Sequence, residues 1–397
     1  MENKFINPKF SKNYKGTFAL TGAYAVAEAM RQIEPDVVAA YPITPQTPIV
    51  EKFSQYVADG KVSTEMILVE SEHSAMSAVV GASSAGARAM TATSSVGLAL
   101  MFEVVNAASG LRLPIVMPVV NRALSAPINI HCDHSDTMAC RDSGWIQIYS
   151  ESAQEAYENT LLATRLSEHP DVMLPSMVCQ DGFITSHSVE VVNILNDDVV
   201  TRFVGEYKPQ QSLLFSKNPI TIGALQLTDS FFETKRQQVK GMENFFKVYP
   251  KIADELTSIT GNKYPFIEPY ALDNAQCALV ALNSSAGTIR FVVKRLRAKG
   301  LKVGMLKIKL FRPFPYEDVE KALSNVAKIA VLDRALSFGA NAPLFSEIKN
   351  CVPKNNLYSF VYGLGGRELL ESHIEELFND LLSSKEIIGQ NYLGLKE

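Results

Sequence analysis

A proline-rich loop, AAYPITPQTPIVEKF at residues 39–53, is the first stretch whose residue types suggest chemistry. An apolar run ends at Tyr41, and prolines recur over the next few positions. Because proline fixes φ and pushes the preceding residue towards extended geometry, we expect Pro42, Ile43 and Thr44 to lie in a stiff loop. Such a loop can present the Thr44 hydroxyl to a small polar ligand at little entropic cost. An ordinary rigid turn would have the same pattern.

A glutamate is the second candidate, in the stretch LVESEHSAMSAVVGASSAGARAM at residues 68–90. Glu72 begins a predicted helix of mostly small residues, which would let a ligand or another backbone approach closely. A carboxylate at a helix N-terminus often does no more than balance the helix dipole. Glu72 remains a candidate because its small, apolar neighbours should shield its carboxyl group from water.

An arginine is the third candidate, in NRALSAPINIHCDHSD at residues 121–136. The planar guanidinium of Arg122 matches a carboxylate bidentately, so this residue could bind an acid substrate. The alternative is a pair with Asp133 or Asp136. The run His131–Asp136 contains metal-ligand residue types but lacks the spacing of a structural zinc site, so it favours a hydrogen-bonded loop over a metal site.

Other motifs in the chain are weaker or absent. The stretch GLGGRE at residues 363–368 could meet a phosphate, but alone such a run more often marks a tight turn. The chain contains neither G-x-G-x-x-G after its first predicted strand nor G-x-x-x-x-G-K-[ST], and no serine or cysteine triad emerges. Its 5 cysteines are scattered and form no C-x-x-C pair, so we expect neither a disulfide framework nor an iron–sulfur cluster in this chain.

Length and composition set the frame for these candidates. A chain of 397 residues is expected to form two or three domains, and 47% hydrophobic residues permit sizeable cores. The net charge of −4 comes without a basic run, which disfavours nucleic-acid binding. We see no signal peptide and no apolar stretch of the ~18 residues that suggest a membrane span, so a cytoplasmic protein without a membrane partner is expected.

The candidate residues lie where the hydrophobic periodicity predicts strands to end. Between residues 19 and 190, apolar runs alternate with helical stretches, and continuous apolar strands are typical of a parallel sheet covered on both faces. This alternation predicts an α/β domain with a doubly wound parallel sheet. The predicted strands are 36–41, 66–70, 89–93, 115–120, 145–150 and 172–180, and the predicted helices are 22–32, 48–57, 73–86, 98–110 and 152–168.

The rest of the chain divides into a connecting segment and a second unit. Residues 191–274 break the alternation and are rich in aromatic residues and lysine, with a helix expected near 242–259. After residue 274 a smaller α/β unit is predicted, with strands at 278–282, 302–310, 329–332 and 357–362 and helices at 286–298, 316–323, 342–349 and 367–381. The expected units are therefore 1–190, 191–274 and 275–397.

Several long motifs, taken in order, resemble one known family. YPITPQTP, ESEHSA, NRALSAPINIHCDHSD, RDSGWIQ and DGFITSH, together with IKLFRPFP and VLDRALSFGA, are similar to the α chains of 2-oxoacid:ferredoxin oxidoreductases, most closely the pyruvate-specific ones. The resemblance covers nearly the whole chain. It implies a first unit of the pyrimidine-side thiamine-diphosphate-binding type and a second unit similar to the transketolase C-terminal domain.

The resemblance also implies roles for the candidate residues. Glu72 matches the family's glutamate that bonds the aminopyrimidine ring of thiamine diphosphate, which makes it both a catalytic and a cofactor-binding residue. Thr44 and Arg122 match the residues that bind the substrate, and Pro42 and Ile43 would contact the cofactor. The stiffened loop would then hold Thr44 where the 2-oxoacid meets the cofactor.

Half of such a cofactor site is missing from the sequence. The diphosphate end normally needs G-D-G followed by Asn to ligate Mg²⁺, and QDGF at residues 180–183 lacks the first glycine and the downstream asparagines. The family therefore implies partner chains: a diphosphate-side subunit with Mg²⁺, a γ-type subunit, and a ferredoxin-like subunit with [4Fe-4S] clusters. Ferredoxin would accept the electrons of the complex.

The expected reaction converts pyruvate, coenzyme A and oxidised ferredoxin reversibly into acetyl-CoA, CO₂ and reduced ferredoxin. Two alternatives stay open. The substrate could be another 2-oxoacid, such as 2-oxoisovalerate, 2-oxoglutarate or oxalate. The chain could also be a non-catalytic scaffold subunit, which the joint presence of Thr44, Glu72 and Arg122 disfavours.

Overall fold

The computed structural model describes residues 5–215, 217–352, 357–383 and 386–396. The ends of the chain, at which the first and last expected units begin and finish, lie outside the described residues. The strands are β1 (Tyr14–Thr21), β2 (Val37–Ala39), β3 (Glu65–Ile67), β4 (Ala89–Met90), β5 (Val116–Asn121), β6 (Ile146–Ser150), β7 (Ser176–Asp181), β8 (Val189–Leu195), β9 (Ile267–Tyr270), β10 (Cys277–Leu282), β11 (Val303–Ile308), β12 (Leu310–Arg312), β13 (Lys328–Asp333), β14 (Leu357–Tyr362) and β15 (Gln390–Leu393). The helices are α1 (Gly22–Ile33), α2 (Thr47–Ala58), α3 (Glu72–Ser84), α4 (Ser95–Leu100), α5 (Phe102–Gly110), α6 (Ser135–Ala139), α7 (Ala153–Ser167), α8 (Asp197–Val204), α9 (Phe231–Thr260), α10 (Ser285–Ala298), α11 (Tyr316–Leu323), α12 (Pro343–Ile348) and α13 (Glu371–Leu382).

The first unit is built on a seven-stranded sheet in the order β12-β6-β7-β5-β4-β2-β3. All neighbouring strands in it run parallel except β12, which pairs antiparallel with β6. Strands β5, β6 and β7 are buried along their whole length, as expected for parallel strands covered on both faces. The predicted α/β class with a doubly wound parallel sheet is confirmed.

The second unit is a six-stranded sheet in the order β15-β14-β13-β10-β11-β9. It is parallel apart from β9, which runs antiparallel to β11. Its core lies between the sheet and helices α10 and α13, where Ile289, Val293 and Phe378 are buried together. A second, smaller α/β unit was predicted and is present.

Helix α9 extends the core of the first unit. The sequence predicted a helix near 242–259, and the structure shows a helix of 30 residues that starts at Phe231. Its residues Phe245, Tyr249 and Leu256 are buried in the same core cluster as α1 and α7. Part of the expected connecting segment therefore packs as an integral layer of the first unit. No helix in the described ranges is long and apolar enough to cross a membrane.

Two local predictions were wrong, and one pair of strands was not predicted. The expected helix at 98–110 consists of two helices, α4 and α5, that meet at Met101. The expected strand at 302–310 ends at Ile308, because Leu310 is buried in the core of the first unit and carries β12 into the first sheet. Strands β1 and β8, which were not predicted, form an antiparallel pair, and position 190 falls inside β8.

Charged side chains hold the two units together near the start of α7. Lys307 is 1% exposed, and its Nζ lies 2.7 Å from Oε1 of Glu155. Lys309 Nζ lies 3.1 Å from the same carboxyl oxygen and 3.1 Å from Oε1 of Glu268. Buried charges are tolerated when they are paired in this way, and the two sheets are therefore fixed relative to each other.

Candidate active site

The three candidate stretches follow strands in one half of the first sheet. The order β5-β4-β2-β3 places the loops after these strands next to one another at the carboxyl edge of the sheet. Arg122 follows β5, Thr44 follows β2 and Glu72 follows β3. Ligands of open α/β sheets bind outside this edge, so the fold gathers the predicted residues where a ligand would be expected.

The proline-rich loop is fixed by its own backbone and by one buried glutamine. The Ile43 carbonyl accepts from the N–H groups of Gln46 at 2.7 Å and Thr47 at 3.1 Å, which starts helix α2. The fully buried Gln46 side chain accepts from the Ile43 N–H at 3.3 Å. Pro42 and Thr44 are exposed and Ile43 is half-buried, so Thr44 lies on the surface of the loop.

Arg122 is the buried member of the site and is held by backbone carbonyl groups. Its Nη1 donates to the Thr44 carbonyl at 2.8 Å, and its Nε donates to the Asn129 carbonyl at 3.0 Å. The residue is 5% exposed, and burial lowers the pKa of its guanidinium. Within the described residues no carboxylate forms an ion pair with Arg122. Its guanidinium is therefore a buried cation that can still accept an anionic partner.

Asp136 organises the backbone around Arg122 without touching the guanidinium. Its Oδ2 accepts from the N–H groups of Arg122 and Ser95, both at 3.0 Å. Its Oδ1 accepts from Asn121 Nδ2 at 2.9 Å and from the Thr137 N–H at 2.8 Å. Burial raises the pKa of this carboxyl group to about 6. The alternative of a side-chain ion pair between Arg122 and Asp136 is wrong, because the oxygens of Asp136 bind N–H groups instead.

The carboxyl group of Glu72 does not cap helix α3. Ser71 caps helix α3 by accepting from the Ser74 N–H at 3.2 Å, and Glu70 accepts from the Ser74 hydroxyl at 2.6 Å. Glu72 is 8% exposed, and no side-chain hydrogen bond to it is formed by a described residue. Since Ser71 already caps the helix, a purely local role for Glu72 is less favoured than the sequence alone suggested.

A glycine makes room for the Glu72 side chain. A Cβ atom on Gly97, in α4, would lie 2.7 Å from Glu72 Oε1, 2.9 Å from Glu72 Cγ and 2.6 Å from Thr93 Oγ1. Atoms at these distances cannot coexist with a methyl group. Gly97 is therefore required by close approach, and Thr93 and Glu72 face the same small gap.

A buried aspartate connects the carboxyl edges of the two sheets. Asp181, at the end of β7, is fully buried and accepts from Arg334 Nη1 at 3.0 Å and from Asn283 Nδ2 at 2.9 Å. Its Oδ1 also lies 2.8 Å from His134 Nε2 and accepts from Cys132 Sγ at 3.3 Å. Burial raises the pKa of the Asp181 carboxyl group, but its contacts with His134 and Arg334 outweigh burial and hold the pKa well below its usual range.

This arrangement bears on the metal question raised by the run His131–Asp136. Ligand atoms of Cys132, His134 and Asp181 lie within 4.8 Å of one another. Arg334 donates to the same carboxylate, and a guanidinium at 3.0 Å competes with a cation for that position. The cluster therefore forms a hydrogen-bonded contact between the two units.

The glycine-rich stretch 363–368 also takes part in this contact between the two units. Gly365 and Gly366 have φ values of 60° and 82°, which favour glycine. A Cβ on Gly366 would lie 2.4 Å from the Cβ of His131, and the Gly366 N–H donates to the Cys132 carbonyl at 2.7 Å. These glycines bring the second unit close to the loop that follows Arg122, so a tight contact explains them without a phosphate.

Comparison with known proteins identifies the family. Residues 28–254 match the model of pyruvate flavodoxin/ferredoxin oxidoreductase, thiamine diphosphate-binding, and residues 275–374 match that of pyruvate:ferredoxin oxidoreductase core domain II. The chain is 59% identical over 384 residues to pyruvate synthase subunit PorA of Thermotoga maritima, covering 96% of this chain and 98% of the relative. This chain belongs to the pyruvate:ferredoxin oxidoreductase family. The family predicted from the sequence motifs is confirmed.

Other similar proteins are also subunits of 2-oxoacid oxidoreductases by name. Pyruvate synthase subunit PorA of Methanothermobacter thermautotrophicus is 46% identical, with 94% of this chain and 97% of the relative covered. Ketoisovalerate oxidoreductase subunit VorA of Pyrococcus abyssi is 40% identical, with 91% and 92% covered. A solved 2-oxoglutarate:ferredoxin oxidoreductase from Magnetococcus marinus superposes with a TM-score of 0.77 at 21% identity, over 93% of this chain and 66% of that one. The last likeness shows a shared fold.

The chain's own residues fit one end of thiamine diphosphate. Glu72 offers a largely buried carboxyl group without a partner, beside the unpartnered and fully buried hydroxyl of Thr93. These groups suit the polar atoms of an aminopyrimidine ring. In the described ranges, the carboxyl-edge cluster around Asp181 is already bound by Arg334, and it does not suit a Mg²⁺–diphosphate group.

The sequence singled out some of these residues and missed others. Thr44, Glu72 and Arg122 were named and lie at one sheet edge, with a direct contact only between Arg122 and Thr44. Thr93, Gly97 and the role of Asp136 were missed. The run TATSSVGLAL at residues 91–100 offered only small and hydroxyl residues before a helix, which is too common a pattern to indicate a site.

Proposed function

We propose that this chain is the α subunit of a pyruvate synthase, which converts pyruvate, coenzyme A and oxidised ferredoxin into acetyl-CoA, CO₂ and reduced ferredoxin. The observation that carries the proposal is Arg122. Its buried guanidinium is bound to the carbonyl groups of Thr44 and Asn129, and no described carboxylate neutralises it in an ion pair. It lies at the same sheet edge as the unpartnered carboxyl group of Glu72.

Glu72 holds a proton at the aminopyrimidine ring nitrogen. A carboxyl group can donate and accept a proton at one position, and general acid–base groups of this kind contribute about 10²–10⁴-fold to rates. When bound, thiamine diphosphate supplies the nucleophilic carbon and the electron sink that decarboxylation of a 2-oxoacid needs. Glu72 is only 8% exposed, so little water has to be displaced from it when the cofactor binds.

Arg122 binds the substrate carboxylate, and Thr44 donates its hydroxyl to the same small molecule. The contact between Arg122 and the Thr44 carbonyl fixes the two groups relative to each other before the substrate arrives, which lowers the entropic cost of orienting it. Pro42 and Ile43 form the stiff wall that leads into this loop, and they contact the cofactor in this proposal.

The proposal requires partner subunits. We infer that a diphosphate-side subunit supplies Mg²⁺, that a γ-type subunit completes the assembly, and that a ferredoxin-like subunit holds [4Fe-4S] clusters. The support is that QDGF lacks the usual Mg²⁺–diphosphate motif and that Asp181 is bound to Arg334 and Asn283. The division into units 1–190, 191–274 and 275–397 stays a prediction.

The test is substrate-dependent reduction of an electron acceptor by the assembled complex. Pyruvate with coenzyme A should reduce a viologen dye faster than 2-oxoisovalerate, 2-oxoglutarate or oxalate does. A complex that prefers 2-oxoisovalerate would move the chain to the ketoisovalerate branch, which the similarity to VorA makes the second candidate. Activity that survives loss of both Glu72 and Arg122 would make the chain a scaffold.

A further inference from the structure

Thr93 has a buried hydroxyl group that the structure leaves without a partner. The residue is 0% exposed, and its Oγ1 makes no hydrogen bond to a described residue. A buried polar group without a partner is destabilising, because it has lost its hydrogen bonds to water. An unpartnered group of this kind next to Glu72 calls for an explanation.

The backbone of Thr93 is fixed on both sides, so the fold fixes where this side chain begins. Its N–H donates to the Pro118 carbonyl at 3.2 Å, and its carbonyl accepts from the Val120 N–H at 3.1 Å. The next two hydroxyl groups are already bound, because Ser94 donates to the Val120 carbonyl at 2.6 Å and Ser95 donates to the Ala123 carbonyl. Thr93 alone in this run of hydroxyl residues, Thr93–Ser95, faces the gap beside Glu72.

The gap itself is shaped for these two side chains. The position that a Cβ on Gly97 would occupy lies 2.6 Å from Thr93 Oγ1 and 2.7 Å from Glu72 Oε1. The Thr93 hydroxyl and the unpartnered carboxyl group of Glu72 therefore border one small space. This space stays open because Gly97 has no side chain. Both oxygens therefore lie within 2.7 Å of one point, on the border of the same gap.

We propose that Thr93 is a positioning residue for Glu72. Its hydroxyl donates to one oxygen of the Glu72 carboxyl group and leaves the other oxygen directed at the aminopyrimidine ring. The inference rests on the proposed function and deepens it, since it states what orients the group that exchanges the proton. A carboxyl group fixed in this way loses less orientational freedom when the cofactor binds.

The experiment compares matched variants of the assembled complex. Thr93→Val removes the hydroxyl at constant size, Thr93→Ser keeps it, and Thr91→Val is the control. Thr91 is also fully buried with an unpartnered hydroxyl, two residues earlier on the same strand run. The readouts are the dissociation constant for thiamine diphosphate, hydrogen–deuterium exchange at its C2 atom, and the melting temperature without cofactor.

Thr93→Val should slow C2 exchange about 10- to 100-fold and weaken cofactor binding, with an unchanged melting temperature, since a misplaced catalytic group costs rates of this order. Thr93→Ser should stay near the wild type, and Thr91→Val should change none of the three readouts. Wild-type exchange in Thr93→Val, or equal losses in Thr91→Val, would overturn the proposal.

A double variant separates this inference from the proposed function. In a Glu72→Gln background, Thr93→Val should have little further effect on exchange or cofactor affinity, because its partner is already changed. Equal additional losses in that background would overturn the positioning role. Wild-type exchange in Glu72→Gln alone would instead contradict the proposed function of Glu72.

Discussion

Nη1 of Arg122 donates a hydrogen bond to the backbone carbonyl of Thr44 at 2.8 Å, although the two residues follow strands that are not neighbours. Strand β4 lies between β5, which precedes Arg122, and β2, which precedes Thr44. The contact spans the loop after that strand and links two groups proposed to bind the same substrate. A substitution of Arg122 should therefore alter how Thr44 binds the substrate, and a substitution of Thr44 should alter binding by Arg122.

Arg122→Lys should lower kcat/KM for pyruvate by about 10- to 100-fold, the scale of a lost hydrogen bond to a charged group. Lysine keeps the positive charge but cannot bind the carbonyl groups of Thr44 and Asn129 and a carboxylate with one planar group. Steady-state kinetics of the assembled complex would measure the loss. An unchanged KM for pyruvate with less than a threefold fall in kcat/KM would contradict the assignment of Arg122.

Thr44→Val provides the matched comparison at the other end of the contact. It removes the hydroxyl of this exposed residue and leaves the carbonyl that Arg122 binds. We expect KM for pyruvate to rise while the affinity for thiamine diphosphate stays near the wild type. Loss of cofactor affinity in this variant would show that the loop contacts the cofactor through the hydroxyl instead.

Glu72→Gln should slow hydrogen–deuterium exchange at thiamine C2 by about 10²–10⁴-fold, because an amide of nearly the same size cannot exchange a proton with the ring nitrogen. The melting temperature of the complex should stay near the wild type, since Ser71 already caps helix α3. If Glu72 only balanced the helix dipole, exchange would be normal and stability would fall by about 0.3–1 kcal/mol.

Gly97→Ala should impair the same exchange, because its methyl group would collide with Glu72 and Thr93. Gly81→Ala, in the neighbouring helix α3, is the matched control, since a Cβ there meets no atom within 4 Å. Replacing a helical glycine by alanine should stabilise the protein by about 0.5–1 kcal/mol in the control. Equal exchange rates in the two variants would show that the gap at Gly97 does not matter for Glu72.

Glu158 should make stability depend on pH. It is buried in α7, and burial raises the pKa of its carboxyl group from 4.5 to about 7. The folded chain therefore binds more protons than the unfolded chain between these values, so stability should fall as pH rises through this interval and level off above it. Glu158→Gln should reduce that slope and raise the melting temperature of the complex at pH 8. A slope unchanged in this variant would contradict the assignment, and the exposed Glu206→Gln serves as control.

Much of the fold could be predicted from local patterns. The continuous apolar runs around Val116–Asn121 and Ser176–Asp181 predicted buried parallel strands, because such strands are covered on both faces. Pairing between distant segments left no local pattern. The pair of β1 and β8 joins residues more than 160 positions apart, as in Thr21 opposite Val189, and neither strand reads as fully buried.

Site residues could be predicted from the sequence most directly where the side chain has a charged group that suits a particular ligand. Arg122 stood out because its planar guanidinium matches a carboxylate, and Glu72 stood out because small, apolar neighbours should shield its carboxyl group from water. Thr93 did not, because a threonine at the end of a strand is ordinary, and only its burial without a partner sets it apart. The binding of Asp136 to N–H groups, instead of to the Arg122 guanidinium, likewise depended on three-dimensional contacts.

Strand β12 leaves the second unit and completes the first sheet, where the Lys309 carbonyl accepts from the Tyr149 N–H at 2.8 Å. Without it, β6 would become an edge strand with unpaired backbone groups, which favours aggregation. The two units are therefore thermodynamically interdependent, and heat should unfold them in a single transition. A fragment that ends before residue 275 should associate or precipitate, and adding the remaining part in trans should rescue it only if Leu310–Arg312 is included.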